Sequence, residues 1–258
     1  MLSQLIRYVP IISLIQANRP HRILEVGCGS QGLGRFLSRR FVGVDRGFSD
    51  YTAAPRHLNQ WMCPVQATGA QLPFKSRSFD LVVLIDVLEH VPPQARLAVL
   101  AECNRVARGW IAIGFPCDAH AEDHDRDFHE WLGARSLAVP GWLHEHLEHP
   151  YPRIEEVSRV LSASAARMQV LDNAWLPAHR VLMRWEAIEP SARYSAALSD
   201  LLAPTAWDWK GHRVVTNLLR FALRPGWPLL RLLQHGPGYR KLIVVEKGGG
   251  GQRSDAAW

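Results

Sequence analysis

The stretch Ile23-Leu-Glu-Val-Gly-Cys-Gly-Ser-Gln-Gly32 decides the fold. It begins as a short apolar run of strand type and continues into a cluster of glycines at positions 27, 29 and 32. Glycine tolerates positive φ and lets a backbone approach a ligand closely, so this cluster predicts a ligand-binding turn. We expect the turn to lead into a helix over residues 32–40 whose amino terminus faces the ligand.

Strand-like and helix-like segments alternate after this turn, which predicts an α/β fold with a parallel sheet. The run at 80–85 is almost wholly apolar, as is typical of a central strand covered on both faces. The other expected strands cover residues 41–45, 62–65, 109–115, 168–171 and 239–246. The expected helices cover residues 94–107 and 154–166.

The composition is that of a folded globular protein, because 47% of the 258 residues are hydrophobic and 21% are charged. A formal net charge of +6 permits contact with phosphate groups or anionic lipid without requiring either. Four cysteines without CxxC spacing indicate a reducing, cytoplasmic setting.

The first residues of the chain contain an apolar stretch at 8–15, interrupted by Pro10. It is much shorter than the roughly 20 residues that span a bilayer. We expect a helix packed on the core, with a membrane-surface anchor as the alternative.

The glycine cluster has two interpretations, because its letters fit Gly-x-Gly-x-x-Gly and Asp45 follows about twenty residues after Glu25. That pattern also describes a dinucleotide site, and hence an NAD-dependent oxidoreductase. Glu25 argues against it, because an acid two residues before the first glycine would oppose a pyrophosphate. The same acid suits the cationic amino group of a methionine moiety.

Five motifs continue in order from the turn: Glu25-Val-Gly-Cys-Gly29, Val44-Asp45, Leu72-Pro-Phe74, Ser78-Phe-Asp-Leu-Val-Val83 and Asp86-Val-Leu-Glu-His90. They resemble the class I S-adenosylmethionine-dependent methyltransferases, and are most similar to the ubiquinone and menaquinone methyltransferase-like group. The resemblance covers residues 20–117. It implies a Rossmann-like, doubly wound sheet of seven strands, the last antiparallel, with S-adenosyl-L-methionine across the carboxyl ends of the strands.

The resemblance also implies a set of cofactor-binding residues. Glu25 and the first two glycines would line the methionine end, and Asp45 would accept hydrogen bonds from the ribose hydroxyls. Thr68 stands near the adenine, where the family usually has an acid, and Gln31 stands where the third glycine often lies. The full set is Glu25, Gly27, Cys28, Gly29, Asp45, Thr68 and Asp86.

The string Asp86-Val-Leu-Glu-His90 is expected beside the methyl-transfer position. Some small-RNA and quinone methyltransferases hold a divalent metal with a similar group, for which Asp86, Glu89 and His90 are the candidates here. Many methyltransferases with this string hold no metal, so no metal is assigned. His90 is a candidate general base, or a histidine that only caps the loop.

Residues 118–152 form a polar, histidine-rich insertion, expected as a lid over the open end of the sheet. Within it, His129 and His144 are further candidates for the base that removes a proton from an acceptor hydroxyl. Its histidine spacings match no zinc motif. A solvated insertion without a catalytic role is the alternative.

A second insertion covers residues 190–238. Its stretch 207–233 repeats apolar residues at helical spacing among arginines, which favours contact with an anionic membrane or a phosphorylated lipid carrier. An auxiliary helix pair on the sheet, or a dimer contact, is the alternative. Nucleic-acid binding is disfavoured, because the basic residues form no long patch.

Together these features predict one domain over residues 1–258, with its core at 20–117 and late strands at 168–185 and 239–246. The expected activity is S-adenosylmethionine-dependent methyl transfer to a small-molecule, glycan or lipid-linked acceptor, with oxygen favoured as the methyl-accepting atom. The alternative is a catalytically inactive scaffold at a membrane or partner surface.

Overall fold

The computed structural model describes residues 1–48, 58–189, 191–202, 230, 234 and 236–248. Seven strands form one sheet: β1 (Ile23–Val26), β2 (Phe41–Asp45), β3 (Met62–Gln66), β4 (Phe79–Ile85), β5 (Ala107–Pro116), β6 (Ala165–Trp175) and β7 (Gly238–Lys247). The described α-helices are α1 (Leu2–Asn18), α2 (Pro93–Val106), α3 (Asp118–Gly133), α4 (Gly141–Glu148), α5 (Ile154–Ser162), α6 (Leu176–Glu186) and α7 (Ser191–Leu202).

The sheet has the strand order β3-β2-β1-β4-β5-β7-β6. Strands β1 to β5 pair in parallel, and β7 runs antiparallel to both β5 and β6. This topology confirms the Rossmann-like doubly wound fold with an antiparallel last strand. The strand order reverses beside β1, so the carboxyl ends of β1, β2 and β4 open on one crevice.

The expected N-terminal helix is present as α1 and packs on the core. Its buried face includes Leu5, Val9, Ile12 and Ile15, which join the hydrophobic cluster on one side of the sheet. The helix ends at Asn18, and Arg19 follows in the left-handed conformation (φ 46°). Helix α1 also carries Arg7 and Tyr8 to the crevice described below.

The expected helix over 32–40 is wrong: only Gly32–Arg35 is helical, as a single 3₁₀ turn. Two glycines in four residues disfavour an α-helix, and Gly32 has a positive φ of 47°. Leu33 and Phe36 are buried, so the chain is held against the core immediately before β2 begins. The loop is therefore fixed by side-chain burial and not by a long helix.

The expected late strand over 168–185 is also wrong in its second half, because β6 ends at Trp175 and α6 follows at once. Pro177 lies in the first turn of α6, where the missing N–H costs the helix nothing but would interrupt a strand ladder.

The two insertions are helical where they are described. Residues 118–152 contain α3 and α4, which share a small apolar cluster with Phe128, Leu132 and Leu143 buried at its centre. The second insertion begins with α7. The basic stretch at 207–233 lies outside the described residues except for Leu230, which is buried against the core. Among the helices that are described, none has the length and apolar character needed to cross a membrane.

Candidate active site

A cavity of about 1010 Å³ lies at the carboxyl ends of the parallel strands. One half is bordered by the glycine turn after β1, the end of β2 and the segment around Thr68. The other half is bordered by side chains of α3, α4, α6 and β7, among them Phe128, Trp142, Met183 and Tyr239. The cavity therefore has a backbone-rich half and an aromatic half.

The glycine turn forms the wall of the first half. Gly27 and Gly29 both have positive φ, 75° and 56°. The N–H of Gly27 donates to the Val44 carbonyl at 2.7 Å, which fixes the turn to β2. A Cβ on Gly27 would collide with the side chain of Val87, so this position accepts glycine alone without rearrangement.

Asp45 lies at the end of β2 and on the cavity wall. Its carboxylate accepts hydrogen bonds from the N–H of Gly29 at 2.9 Å and of Gly47 at 3.2 Å. The acid is thus oriented by the glycine turn at the cavity wall. Thr68 borders the same half, and its hydroxyl accepts from the N–H of Ala70 at 3.3 Å.

Glu25 occupies a different place from the one expected, because it lies behind the glycine turn and does not line the cavity. The Tyr8 hydroxyl and the Leu33 N–H donate to its two carboxylate oxygens, each at 2.7 Å. Burial raises the pKa of Glu25 to about 7. This acid therefore holds α1 and the loop after β1 together, and any effect on a bound ligand passes through the turn.

Asp86 follows β4 with a positive φ of 52° and lines the cavity. Arg7 contacts one of its oxygens at 2.5 Å and Arg240 contacts the other at 2.6 Å. Burial alone would raise the pKa of Asp86, but these two guanidinium groups hold it well below its usual range. With both oxygens engaged, Asp86 is not placed to bind a metal, which corrects its candidacy as a ligand.

Arg7 and Arg240 also have nitrogen donors that do not contact Asp86. Within the described part of the chain, Arg7 Nε and Arg240 Nη1 are buried without a hydrogen-bond partner. Both residues also border the cavity, so their positive charges lie at its wall.

Two histidines meet at the wall between the halves. His90 Nδ1 lies 2.7 Å from Glu145 Oε2, and His146 Nδ1 lies 2.8 Å from Asp125 Oδ2. The two Nε2 atoms lie 3.3 Å apart. A carboxylate only accepts, so each Nδ1 carries a hydrogen, and the two Nε2 atoms face each other. With both Nε2 atoms unprotonated, their lone pairs would converge on a cation between the rings.

Glu89 lies beside the two histidines and forms a cluster with them. Both of its carboxyl oxygens are buried without a hydrogen-bond partner in the described residues, and one lies 3.7 Å from His146 Nε2. Burial, followed by the charge of Asp86, raises the pKa of Glu89 well above its usual value. Burial also lowers the pKa of His90 to about 4, and the neighbouring His146 acts in the same direction.

The donor set of this cluster fits a divalent metal ion. Glu89, His90 and His146 offer one ligand atom each within 4.8 Å of one another. Two imidazoles and a carboxylate are common ligands of such ions, and each histidine has its other nitrogen bound to a carboxylate, as metal-bound histidines do. His146 takes the place that the sequence interpretation gave to Asp86.

His129 and His144 are not on the cavity wall. They contact each other, with ring centroids 5.5 Å apart, and His144 is exposed. His146 and Asp125 were missed, although a periodic signal marked them. On α3 the buried residues recur at Ala121, Asp125, Phe128 and Leu132, and on α4 His146 follows buried Leu143 by one turn. Because burial of a polar group is costly unless the group is paired, a polar residue in such an apolar stripe is a candidate site residue.

Residues 24–112 match the family model described as a methyltransferase domain. A ubiquinone biosynthesis O-methyltransferase of Hahella chejuensis is 36% identical over 94 residues, which are 34% of this chain and 39% of that protein. A probable S-adenosylmethionine-dependent methyltransferase of Mycobacterium tuberculosis is 38% identical over 93 residues, 34% of this chain and 32% of that protein. The chain thus matches less than half the length of each relative.

Two solved structures share the fold along almost the whole chain. One is a putative methyltransferase from an antibiotic biosynthesis pathway of Anabaena variabilis, with a TM-score of 0.52, 14% identity and coverage of 94% of this chain and 99% of that one. The other is a SAM-dependent methyltransferase of Archaeoglobus fulgidus, with a TM-score of 0.50, 14% identity and coverage of 95% and 94%. Residues 24–112 therefore match a methyltransferase domain, and the fold built around them is similar to that of solved S-adenosylmethionine-dependent methyltransferases.

Proposed function

We propose that the chain is an S-adenosylmethionine-dependent methyltransferase, a single domain that transfers a methyl group to an oxygen atom of a small-molecule, glycan or lipid-linked acceptor. One observation carries this proposal: the glycine turn and Asp45 stand on the wall of the same cavity as the His90–His146 cluster. This supports a cofactor site and a group of polar side chains suited to an acceptor hydroxyl in one cavity.

The first half of the cavity suits the cofactor. Gly27 and Gly29 let a ligand lie against the backbone, and Asp45 would accept hydrogen bonds from ribose hydroxyls. The positive charges of Arg7 and Arg240 at the cavity wall suit the methionine carboxylate, and Asp86 between them limits the excess positive charge. S-adenosylmethionine supplies an electrophilic methyl group on a sulfonium.

The second half suits a hydroxylated acceptor. Phe128, Trp142 and Met183 provide an apolar wall that excludes water from the space beside the cluster. We propose that Glu89, His90 and His146 hold a divalent cation there, and a divalent cation lowers the pKa of a hydroxyl bound to it. An oxygen acceptor needs such help more than an amine does, and the Hahella chejuensis relative named for O-methyl transfer agrees with this choice.

The reaction would be an in-line displacement in which a C–O bond forms as the C–S bond breaks, S-adenosylhomocysteine leaves, and the acceptor's hydroxyl proton is released to bulk water. The protein contributes mainly by holding the two reactants in line and excluding water. In this chain the glycine turn and Asp45 hold one reactant, while α3, α4 and β7 hold the other.

The first test is calorimetric titration with S-adenosylhomocysteine, the product form of the cofactor. Wild type should bind it saturably, and Asp45→Ala should weaken binding about tenfold or more through loss of charged hydrogen bonds. Asp123→Ala is the matched control, because this acid on α3 is exposed. Absence of binding by folded wild type would contradict the proposal. Acceptors are then found with methyl-labelled cofactor and a panel of phenols, glycans and lipid-linked sugars.

A further inference from the structure

The carboxylate of Asp125 is completely buried, and four side-chain donors converge on it. His124 Nδ1 lies 3.0 Å from Oδ1. Three donors share Oδ2: His146 Nδ1 at 2.8 Å, the Tyr151 hydroxyl at 2.5 Å and the Tyr239 hydroxyl at 2.7 Å. Asp125 thereby joins α3 to α4, to the segment after α4, and to β7.

These contacts settle which nitrogen of His146 carries the hydrogen. Two tyrosine hydroxyls and His146 Nδ1 share Oδ2 of Asp125, so this oxygen serves as an acceptor. An acceptor at this place requires Nδ1–H from His146, which in the neutral ring leaves the lone pair on Nε2. That lone pair points toward His90 Nε2, 3.3 Å away.

We propose that Asp125 is a positioning residue that acts through His146, fixing the Nδ1–H tautomer so that the Nε2 lone pair faces the Glu89–His90 cluster. The inference rests on the proposed function in one respect: it takes the cluster as the place where the acceptor hydroxyl is activated. Asp125 does not line the cavity, so it touches neither reactant. Its contribution is to orient the ring of His146, which does line the cavity.

Two substitutions at this position separate orientation from charge. In Asp125→Asn, the carbonyl oxygen can keep the Oδ2 position and its three donors, while the amide turns toward His124, whose ring can present an unprotonated Nδ1. The tautomer of His146 should therefore survive in Asp125→Asn. In Asp125→Ala no acceptor remains for Nδ1–H, so the hydrogen is free to move to Nε2.

Nitrogen NMR of protein labelled in its histidine rings reads the tautomer directly, without cofactor, metal or acceptor. We expect the Nδ1–H form of His146 in wild type and in Asp125→Asn, and its loss in Asp125→Ala. The resonance is assigned with His146→Gln. An Nε2–H form in wild type would overturn the proposal even if Asp125→Ala fails to fold, and so would an unchanged tautomer in a folded Asp125→Ala.

Titration with Mn²⁺ alone, by calorimetry, tests the consequence. Removing the carboxylate partner of a metal-bound histidine typically weakens metal affinity about 10- to 100-fold, so Asp125→Ala should show such a loss. Asp125→Asn should lose less, and the exposed control Asp123→Ala nothing. Equal affinity in wild type and Asp125→Ala would overturn the positioning role. Failure of wild type to bind Mn²⁺ would contradict the proposed metal site, while the tautomer would still decide the role of Asp125.

Discussion

Glu25 offers a quantitative test of how the loop after β1 is held, because it is a buried acid whose two partners are both donors. We consider Glu25→Gln. The amide oxygen of glutamine can accept from the Leu33 N–H, and its amide nitrogen can donate to the Tyr8 oxygen. The substitution therefore keeps both hydrogen bonds and removes only the ability to ionise.

The magnitude follows from the pKa of Glu25, which burial raises from 4.5 to about 7. The folded state therefore binds this proton more tightly than the unfolded state does. The resulting stabilisation is complete below pH 4.5 and is lost as the pH rises through about 7. At about 1.4 kcal/mol for each pH unit between the two pKa values, the loss amounts to about 3 kcal/mol.

Urea unfolding of wild type and Glu25→Gln between pH 5 and pH 8 measures this loss. The difference in the free energy of unfolding should move by about 2.5 kcal/mol in favour of glutamine across the range, because part of the loss already occurs below pH 5 and other titrating groups cancel in the comparison. Glu148→Gln, which makes the same chemical change at an exposed carboxylate on α4, is the matched control. A difference that stays constant with pH for Glu25→Gln would refute the idea that ionisation of the buried Glu25 carboxyl group destabilises the folded state.

Three further outcomes are expected. Gly27→Ala should abolish S-adenosylhomocysteine binding in calorimetry, because its Cβ collides with Val87 at a positive φ. Arg240→Met should lower the free energy of unfolding by about 3 kcal/mol or more in urea, since it removes one of the two partners of buried Asp86. His144→Ala should leave methyl transfer within about twofold of wild type, because the ring is exposed and off the cavity wall.

The sheet could be predicted from sequence because its strands are short apolar runs bounded by turn residues, and the glycine cluster marks the end of β1. The structure of residues 32–40, which follow the turn, could not be predicted from sequence. Helical periodicity at 32–40 looked adequate, yet two glycines and the burial of Leu33 and Phe36 limit it to one 3₁₀ turn. In this segment, tertiary packing overrides the local preference for an α-helix.

The prediction that His129 and His144 lie on the acceptor side of the cavity is wrong for a related reason. His129 and His144 were chosen by residue type and position after β5, but a single helical step separates a residue in the cavity wall from one in solvent. His146 lies two residues beyond His144, and Asp125 four before His129, and both are on the buried faces of their helices. Periodicity of burial was the better guide than the abundance of histidine.

The two halves of the cavity come from different parts of the chain. The glycine turn, Asp45, Glu89 and His90 all lie within residues 24–112, the segment that matches the methyltransferase domain. Arg7 on α1, Asp125 and His146 on the lid, and the side chains of β7 lie outside it. Because α3, α4, α6 and β7 border the acceptor half of the cavity, we expect these outer segments to select the acceptor. The same cofactor chemistry in the relatives therefore does not carry their acceptors over to this chain. Exchange of α3 and α4 between this chain and a relative should change acceptor preference while leaving S-adenosylhomocysteine affinity within about threefold.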